Sequence, residues 1–290
     1  MSLARTYAPE RAVRMLVLML CILLVPHRGV AFAQGGVEAS PHVVHDVQAE
    51  GSCAVVGMTA EQCQLLALQR ARAAAIGQAA GVAVASSTLV TSSALAGDFI
   101  KTYSLGYIVK EKAEWLPLTQ YQRDSSMAPI PEYKIRIIAD VYRPMKRIEP
   151  IGLRASLNRL QFKGGERAEL TIRSMRKARV GIFNITADDR VTRVFPNIHD
   201  RDNVIGGGEV LRYPSGRSRT ELVMETLSGH RRDTEAFLVV AVADEHPCNL
   251  LGLFPEGPEE LKAFFARYTE IADYAEDMML TYEVFAARGD

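Results

Sequence analysis

The stretch "EGSCAVVGMTAEQC", Glu50 to Cys63, decides how the first half of the chain folds. Overlapping its start, "DVQAEGSCAVV" alternates Val47, Ala49, Cys53 and Val55 with polar or small residues, the period of a half-buried strand. Thr59-Ala60-Glu61-Gln62 then has the capping-box form, with Thr59 as N-cap and Gln62 three residues on. The pattern predicts a strand running into a helix from about Ala60 to Ala80, which Gly77 weakens and Gly81 ends. Cys53 and Cys63 would lie on the strand and on the first helical turn. A structural zinc site needs four ligands with a tight Cys-x-x-Cys or His-x-x-x-His element, a redox pair needs Cys-x-x-Cys, and the sequence has neither. A disulfide there would close a loop of about eleven residues and contribute about 2–3 kcal/mol. The alternative is two buried free thiols. Cys248 is left over, free or intermolecular.

Toward the N-terminus, Arg5, Arg11 and Arg14 precede an apolar run from Met15 to Val25, which Pro26 ends before Ala31-Phe32-Ala33. This is the order of a secretory signal peptide spanning 1–33, with cleavage expected near Ala33 and a periplasmic or secreted product. The run is short for a permanent span, and the alternative is an uncleaved anchor. Cys21 follows the bulky Leu20, which argues against lipid attachment, so it leaves with the signal. Without residues 1–33, 30 basic and 33 acidic residues remain, a net charge of −3. That near-neutral mixture argues against nucleic acid as the main partner. An oxidising compartment favours pairing of Cys53 with Cys63. The remaining length, about 257 residues, suggests two domains.

In the first, residues 43–143, the helix carries Ala67, Leu68, Ala71, Ala74, Ala75 and Gln78 at three- and four-residue spacing. Small side chains let it lie close on a sheet, with Arg70 and Arg72 pointing outward. "GVAVASSTLV", "KTYSLGYIVKEKAEW" and "EYKIRIIADVY" read as strands, the last with Tyr133, Ile135, Ile137, Ala139 and Val141 on one face. "PLTQYQRDSSMAPIP" reads as a loop. Residues 144–154, within and after the basic "RPMKRIEP", read as a linker. In 155–290, "ERAELTIRS", "ARVGIFNIT", "RVTRVF", "EVLRYP", "TELVMET" and "AFLVVAVAD" read as short strands, with Ala187-Asp188-Asp189-Arg190 as a tight turn. Pro258-Glu259-Glu260 reads as a helix opening, and "MMLTYEVFAA" as a closing strand. The expected class is α+β: an N-terminal helix-on-antiparallel-sheet domain, then a β-sandwich-like domain with a C-terminal helix.

Two resemblances follow. Glu50-Gly51 ending a strand, the alanine- and arginine-rich helix, Gly81-Val82 and "SLGYI" resemble the N-terminal domain of flagellar assembly protein T and the related domain of small outer-membrane lipoproteins, over Val43 to Arg143. The two cysteines and the residues around Val56-Gly57-Met58 depart from that pattern. Phe195-Pro196-Asn197, Asn203, Gly208-Glu209 and Pro214, with "FKGGERAELTI" and "AFLVVAVAD", resemble domain-of-unknown-function family 4384 over Ala155 to Asp244. Asp189 departs from it, because that turn more often carries glycine. The second resemblance implies an accessory binding domain with no catalytic residues to carry over.

His199, Asp200, Asp202 and Asn203 offer mostly oxygen ligands, but without the alternation and terminal glutamate of a calcium loop they read as a self-bonded polar loop. Gly206-Gly207-Gly208 precedes a strand rather than a helix, so it reads as a turn and not a phosphate loop. Arg212, Arg217 and Arg219 form a small basic patch, read as a solvated turn. His246-Pro247-Cys248 has no identifiable third group, and the sequence has no nucleophile elbow, His-Glu-x-x-His or nucleotide fingerprint. The expectation is an exported envelope protein without catalytic activity, cofactor or metal, binding envelope proteins as an assembly adaptor, peripheral to membrane or cell wall. Alternatives are a flagellar or secretion-machine component and an envelope-polymer hydrolase.

Overall fold

Cys53 and Cys63 are disulfide-bonded, with Cα atoms 5.5 Å apart, in the computed structural model of the chain, which describes residues 42–82, 102–103, 105–122 and 124–287. These residues belong to one compact unit, Ser40–Asp290; Met1–Ala39, with the expected signal peptide, lies outside the described residues. Strand β1 (Val43–Ala54) leads to helix α1 (Ala60–Ala80). The capping box is formed in both directions: Gln62 N–H donates to the Thr59 hydroxyl, and Thr59 N–H donates to the Gln62 side chain. Gly81 closes the helix in the left-handed conformation at φ 73°, which glycine adopts without a Cβ penalty.

Helix and strand meet at backbone distance. A Cβ on Gly51 would lie 2.0 Å from the Ala67 carbonyl oxygen and 2.5 Å from the Ala71 nitrogen. Ala67, Ala71 and Ala75 are fully buried there. The sheet beneath is antiparallel, with β4 (Ile130–Tyr142) between β1 and β2 (Tyr107–Trp115), and β3 (Thr119–Tyr121) paired to the start of β4.

The second half is built on a larger sheet in the order β13-β9-β8-β12-β14-β6, comprising Glu259–Glu260, Arg190–Phe195, Ala178–Ile185, Arg232–Ala243, Ala275–Phe285 and Gln161–Lys163; β10 (Val204–Ile205) pairs with β8. Both faces of this sheet are buried. Phe237, Val239 and Ala241 of β12 face a core shared with the three-stranded sheet β11-β7-β5 (Val210–Tyr213, Leu170–Arg173, Arg154–Leu157). Leu238, Val240 and Val242 face the other way, into a core shared with α1, the first sheet, the short helix α2 (Leu250–Leu253) and helix α3 (Leu261–Ala272). Strands dominate with three helices among the described residues, a β-rich α+β arrangement.

Helix α3 joins the halves. Its Phe265 stacks on Tyr107 of β2 at 4.8 Å, and its Phe264 packs on Phe183 of β8 at 4.9 Å. Tyr107 and Tyr268 both donate to Asp277, at 2.7 and 2.6 Å, and Tyr142 donates to Asp273 at 2.8 Å. The stretch after Arg143 runs along the same helix end: Met145 N–H donates to Asp273, and Lys146 donates to the carbonyls of Ala272 and Ala275.

Several local expectations change. Arg72 does not point outward but is 5% exposed, because Glu111 and Asp189 meet it inside. "KTYSLGY" is not all strand; Thr102 and Tyr103 are helical and β2 begins at Tyr107. Residues 83–90 of the expected "GVAVASSTLV" strand lie outside the described residues, and Gly81 is spent on the helix cap. β3 forms inside the expected loop, held by the Thr119 hydroxyl on Glu132. "TELVMET" contributes a single bridge, Arg167 to Val223, rather than a strand. Glu259-Glu260 pairs with Arg190-Val191 as β13, so sheet pairing delays the helix start to Leu261. Among the described residues no helix is long and apolar enough to cross a membrane.

Candidate functional site

Helix α1 has two working faces. Cys63, Ala67, Ala71 and Ala75 face the core, while Glu61, Gln62, Leu65, Leu66, Gln69 and Arg70 form a second stripe along a cleft of about 1060 Å³. The opposite wall is one face of the central sheet, where Ile185, Ala236, Met279 and Thr281 sit. Directly paired residues share a face, and Ala236 opposes both Ile185 and Thr281 in the ladder. The corner between β1 and α1, with Val55 and Met58, closes one end, and the disulfide fixes that corner.

Arg70 is the notable cation of the helix wall. One of its terminal nitrogens, Nη1, donates to the Ser52 carbonyl, its Nε–H is buried without an acceptor, and no carboxylate pairs with it among the described residues. Burial lowers its pKa. Arg232 also has a buried Nε–H without an acceptor but is paired with Glu283, and Asp188 accepts the Thr186 hydroxyl at 2.6 Å.

Two acidic residues border the cleft on β12 but turn away from it. Strand alternation puts Asp233 and Glu235 on the face of Phe237, opposite to Ala236 and Leu238. There Glu235 accepts from the Tyr282 hydroxyl at 2.7 Å, and burial raises its pKa to about 6. Asp233 accepts from Leu227 N–H at 2.6 Å and pairs with His230 Nδ1 at 2.6 Å, fixing the turn before β12. A perturbed carboxyl inside a cleft would suggest acid–base chemistry; here both carboxyls hold the fold.

Arg72, one residue pair further along α1, is bound by Glu111 at 2.5 and 2.8 Å and by Asp189. Asp189 is the turn residue where glycine was expected, and its φ of 67° is the reason glycine would suit it. The aspartate accepts that backbone and puts a carboxylate on Arg72, linking the β8–β9 turn to α1 and β2.

The motif residues of the second half act on the backbone. Asn197 Nδ2 donates to the Val194 carbonyl and to Tyr213 at 2.9 Å each, and its oxygen accepts from His199 and Asp200 N–H at 2.8 Å each. Asn203 donates to the Val180 carbonyl at 3.0 Å. Gly208, at φ 82°, donates to the Ser174 carbonyl at 2.7 Å. Pro196 and Pro214 follow cis peptide bonds after Phe195 and Tyr213, whose rings pack at 4.9 Å. Asp200 accepts from the Ser218 hydroxyl, and Asp202 accepts from Val204 N–H at 3.3 Å. His199, Asp200 and Asp202 thus lie in a hydrogen-bonded loop, and among the described residues no three His, Cys, Asp or Glu side chains converge as metal ligands. Gly206 and Gly207 turn the chain between β10 and β11, and Arg217 lies in the turn after β11. His246 stacks on Tyr274 at 4.1 Å, and burial raises the thiol pKa of unpaired Cys248.

The cleft was not anticipated from the sequence. Its signal was Leu65-Leu66, two apolar residues on α1 outside the alanine face. Among known proteins, a family model described as a domain of unknown function (DUF4384) matches residues 161–241, which hold β6 to most of β12 and every motif residue above. The match does not reach the first half. A search of curated proteins finds no match.

Proposed function

We propose that this chain is an exported, non-catalytic binding protein of the cell envelope, an assembly adaptor whose protein partner enters the cleft between α1 and the central sheet. The cleft carries the reading. At about 1060 Å³ it has the size of a large ligand pocket, against roughly 300–1,000 Å³, and its lining mixes apolar side chains such as Leu65, Leu66, Ile185 and Met279 with polar and charged ones. Its walls are a helix pinned by a disulfide and a sheet buried on both faces, a rigid frame suited to recognition. The disulfide and the basic–apolar–small order of residues 1–33 support an oxidising compartment outside the cytoplasm.

The test is photo-crosslinking in intact cells, with a photoreactive residue at Leu66 on the cleft wall and, as control, at Met175, which is 75% exposed elsewhere. The expected result is a specific envelope protein captured from position 66 alone. The same captured set from both positions, or none from 66, overturns the proposal.

A further inference from the structure

We infer that the cleft recognises the carboxyl terminus of an apolar peptide segment, with Arg70 as the carboxylate anchor. This assignment rests on the cleft being the binding site proposed above. Arg70 has Nη1 committed to the Ser52 carbonyl and Nε buried, which leaves Nη2, with no acceptor from the chain among the described residues, as the guanidinium nitrogen open to a ligand. Nη2 of a cation with no carboxylate partner can give a charge-assisted hydrogen bond to a ligand carboxylate.

The carboxylates along the cleft do not serve instead. Glu61 and Asp188 are exposed, and Asp188 is engaged by Thr186. Asp233 and Glu235 face the opposite side of the sheet, and Arg231 and Arg232 lie across the cleft from the helix stripe, Arg232 held by Glu283.

The rest of the cleft fits the body of such a segment. Leu65, Leu66, Met58, Ile185 and Met279 give apolar surface for side chains. Gln69 on one wall, with Thr234 and Thr281 on the other, brings amide and hydroxyl groups that suit a peptide backbone. A simple acyl chain would leave those polar groups unmatched, which favours the peptide over a fatty acid.

The experiment is fluorescence anisotropy on the oxidised chain with N-terminally labelled pentapeptides of Ala, Val, Leu and Phe, prepared as free acids and as C-terminal amides, with dodecanoate as competitor. Free acids are expected to bind at least tenfold tighter than amides. Arg70→Gln should bring acids down to the level of amides, and Arg70→Lys should keep part of the preference. The acid–amide comparison needs no variant, so it stands even if Arg70→Gln misfolds. Equal binding of acid and amide overturns the assignment, as does binding of dodecanoate without any peptide. Capture of a partner from position 66 without an acid preference would sink the anchor and leave the adaptor; no capture and no peptide binding would remove both.

Discussion

Arg72 is a charge taken into the core because two carboxylates meet it there. Burial by itself lowers its pKa, but the hydrogen bonds and charges of Glu111 and Asp189 outweigh that and hold it raised. Removing one partner from a buried pair costs about 3–5 kcal/mol, mostly from the charge left behind. Glu111→Gln leaves Arg72 paired with Asp189, so it should lower unfolding free energy by less, about 1.5–3 kcal/mol for the charge-assisted hydrogen bonds weakened, in urea titrations. Arg72→Met combined with Glu111→Gln should cost less than the sum of the single changes in a double-mutant cycle. Glu235 works in the opposite direction. Burial raises its pKa from 4.5 to about 6, so its protonated form suits the fold. Its contribution is full below pH 4.5 and is lost as pH rises through about 6, a change of about 2 kcal/mol at 1.36 kcal/mol per pH unit. Relative to Glu235→Gln, the native chain should lose stability between those pH values and differ by a constant above about pH 7. A difference independent of pH would show that the carboxyl is not buried.

At the level of elements, α1 depends on three local devices. Thr59 closes the capping box, and Thr59→Ala should cost about 1 kcal/mol. The disulfide joins residues ten apart in sequence, and replacing both Cys53 and Cys63 by alanine should cost about 2–3 kcal/mol. Gly51 sets the helix–strand spacing. A methyl group there would meet Ala67 and Ala71 backbone that cannot move aside without shifting the helix, so Gly51→Ala should cost about 3 kcal/mol. Thermal unfolding monitored by circular dichroism should rank these three changes with Thr59→Ala the mildest.

At the level of the whole molecule, the two halves share a core. Tyr103 and Tyr107 of the first half stack on Phe265, Tyr142 bonds to Asp273, and Arg72 bonds to Asp189. Tyr103, Tyr107, Phe265 and Tyr268 are almost fully buried where rings of the two halves meet. Thermal unfolding should therefore follow a single transition, coincident by near-UV dichroism and calorimetry. Two separated transitions would show that α3 belongs to one half alone.

The sequence alone determined the features that arise within a few residues. The capping box, the limits of α1 near Ala60 and Ala80, its end at Gly81, the Cys53–Cys63 pair and the alternation in β4 were legible, because each depends on local spacing and backbone preference. The loop His199–Asn203, read as self-bonded, is so only in part: Asp202 accepts from the neighbouring Val204 N–H, while Asp200 accepts from Ser218 and Asn203 donates to the Val180 carbonyl. Other features depended on contacts distant in sequence. Arg72 read as a surface arginine until Glu111 and Asp189, 39 and 117 residues away, arrived beside it. Glu259-Glu260 read as a helix start until β9 offered a pairing edge. The cleft needed Leu65-Leu66 to face Ile185 and Met279 across a gap, and the Ser52 carbonyl that holds Arg70 is 18 residues away in sequence. Local propensity fixes an element's type and limits, whereas tertiary packing decides which of its faces is covered and which is left to bind.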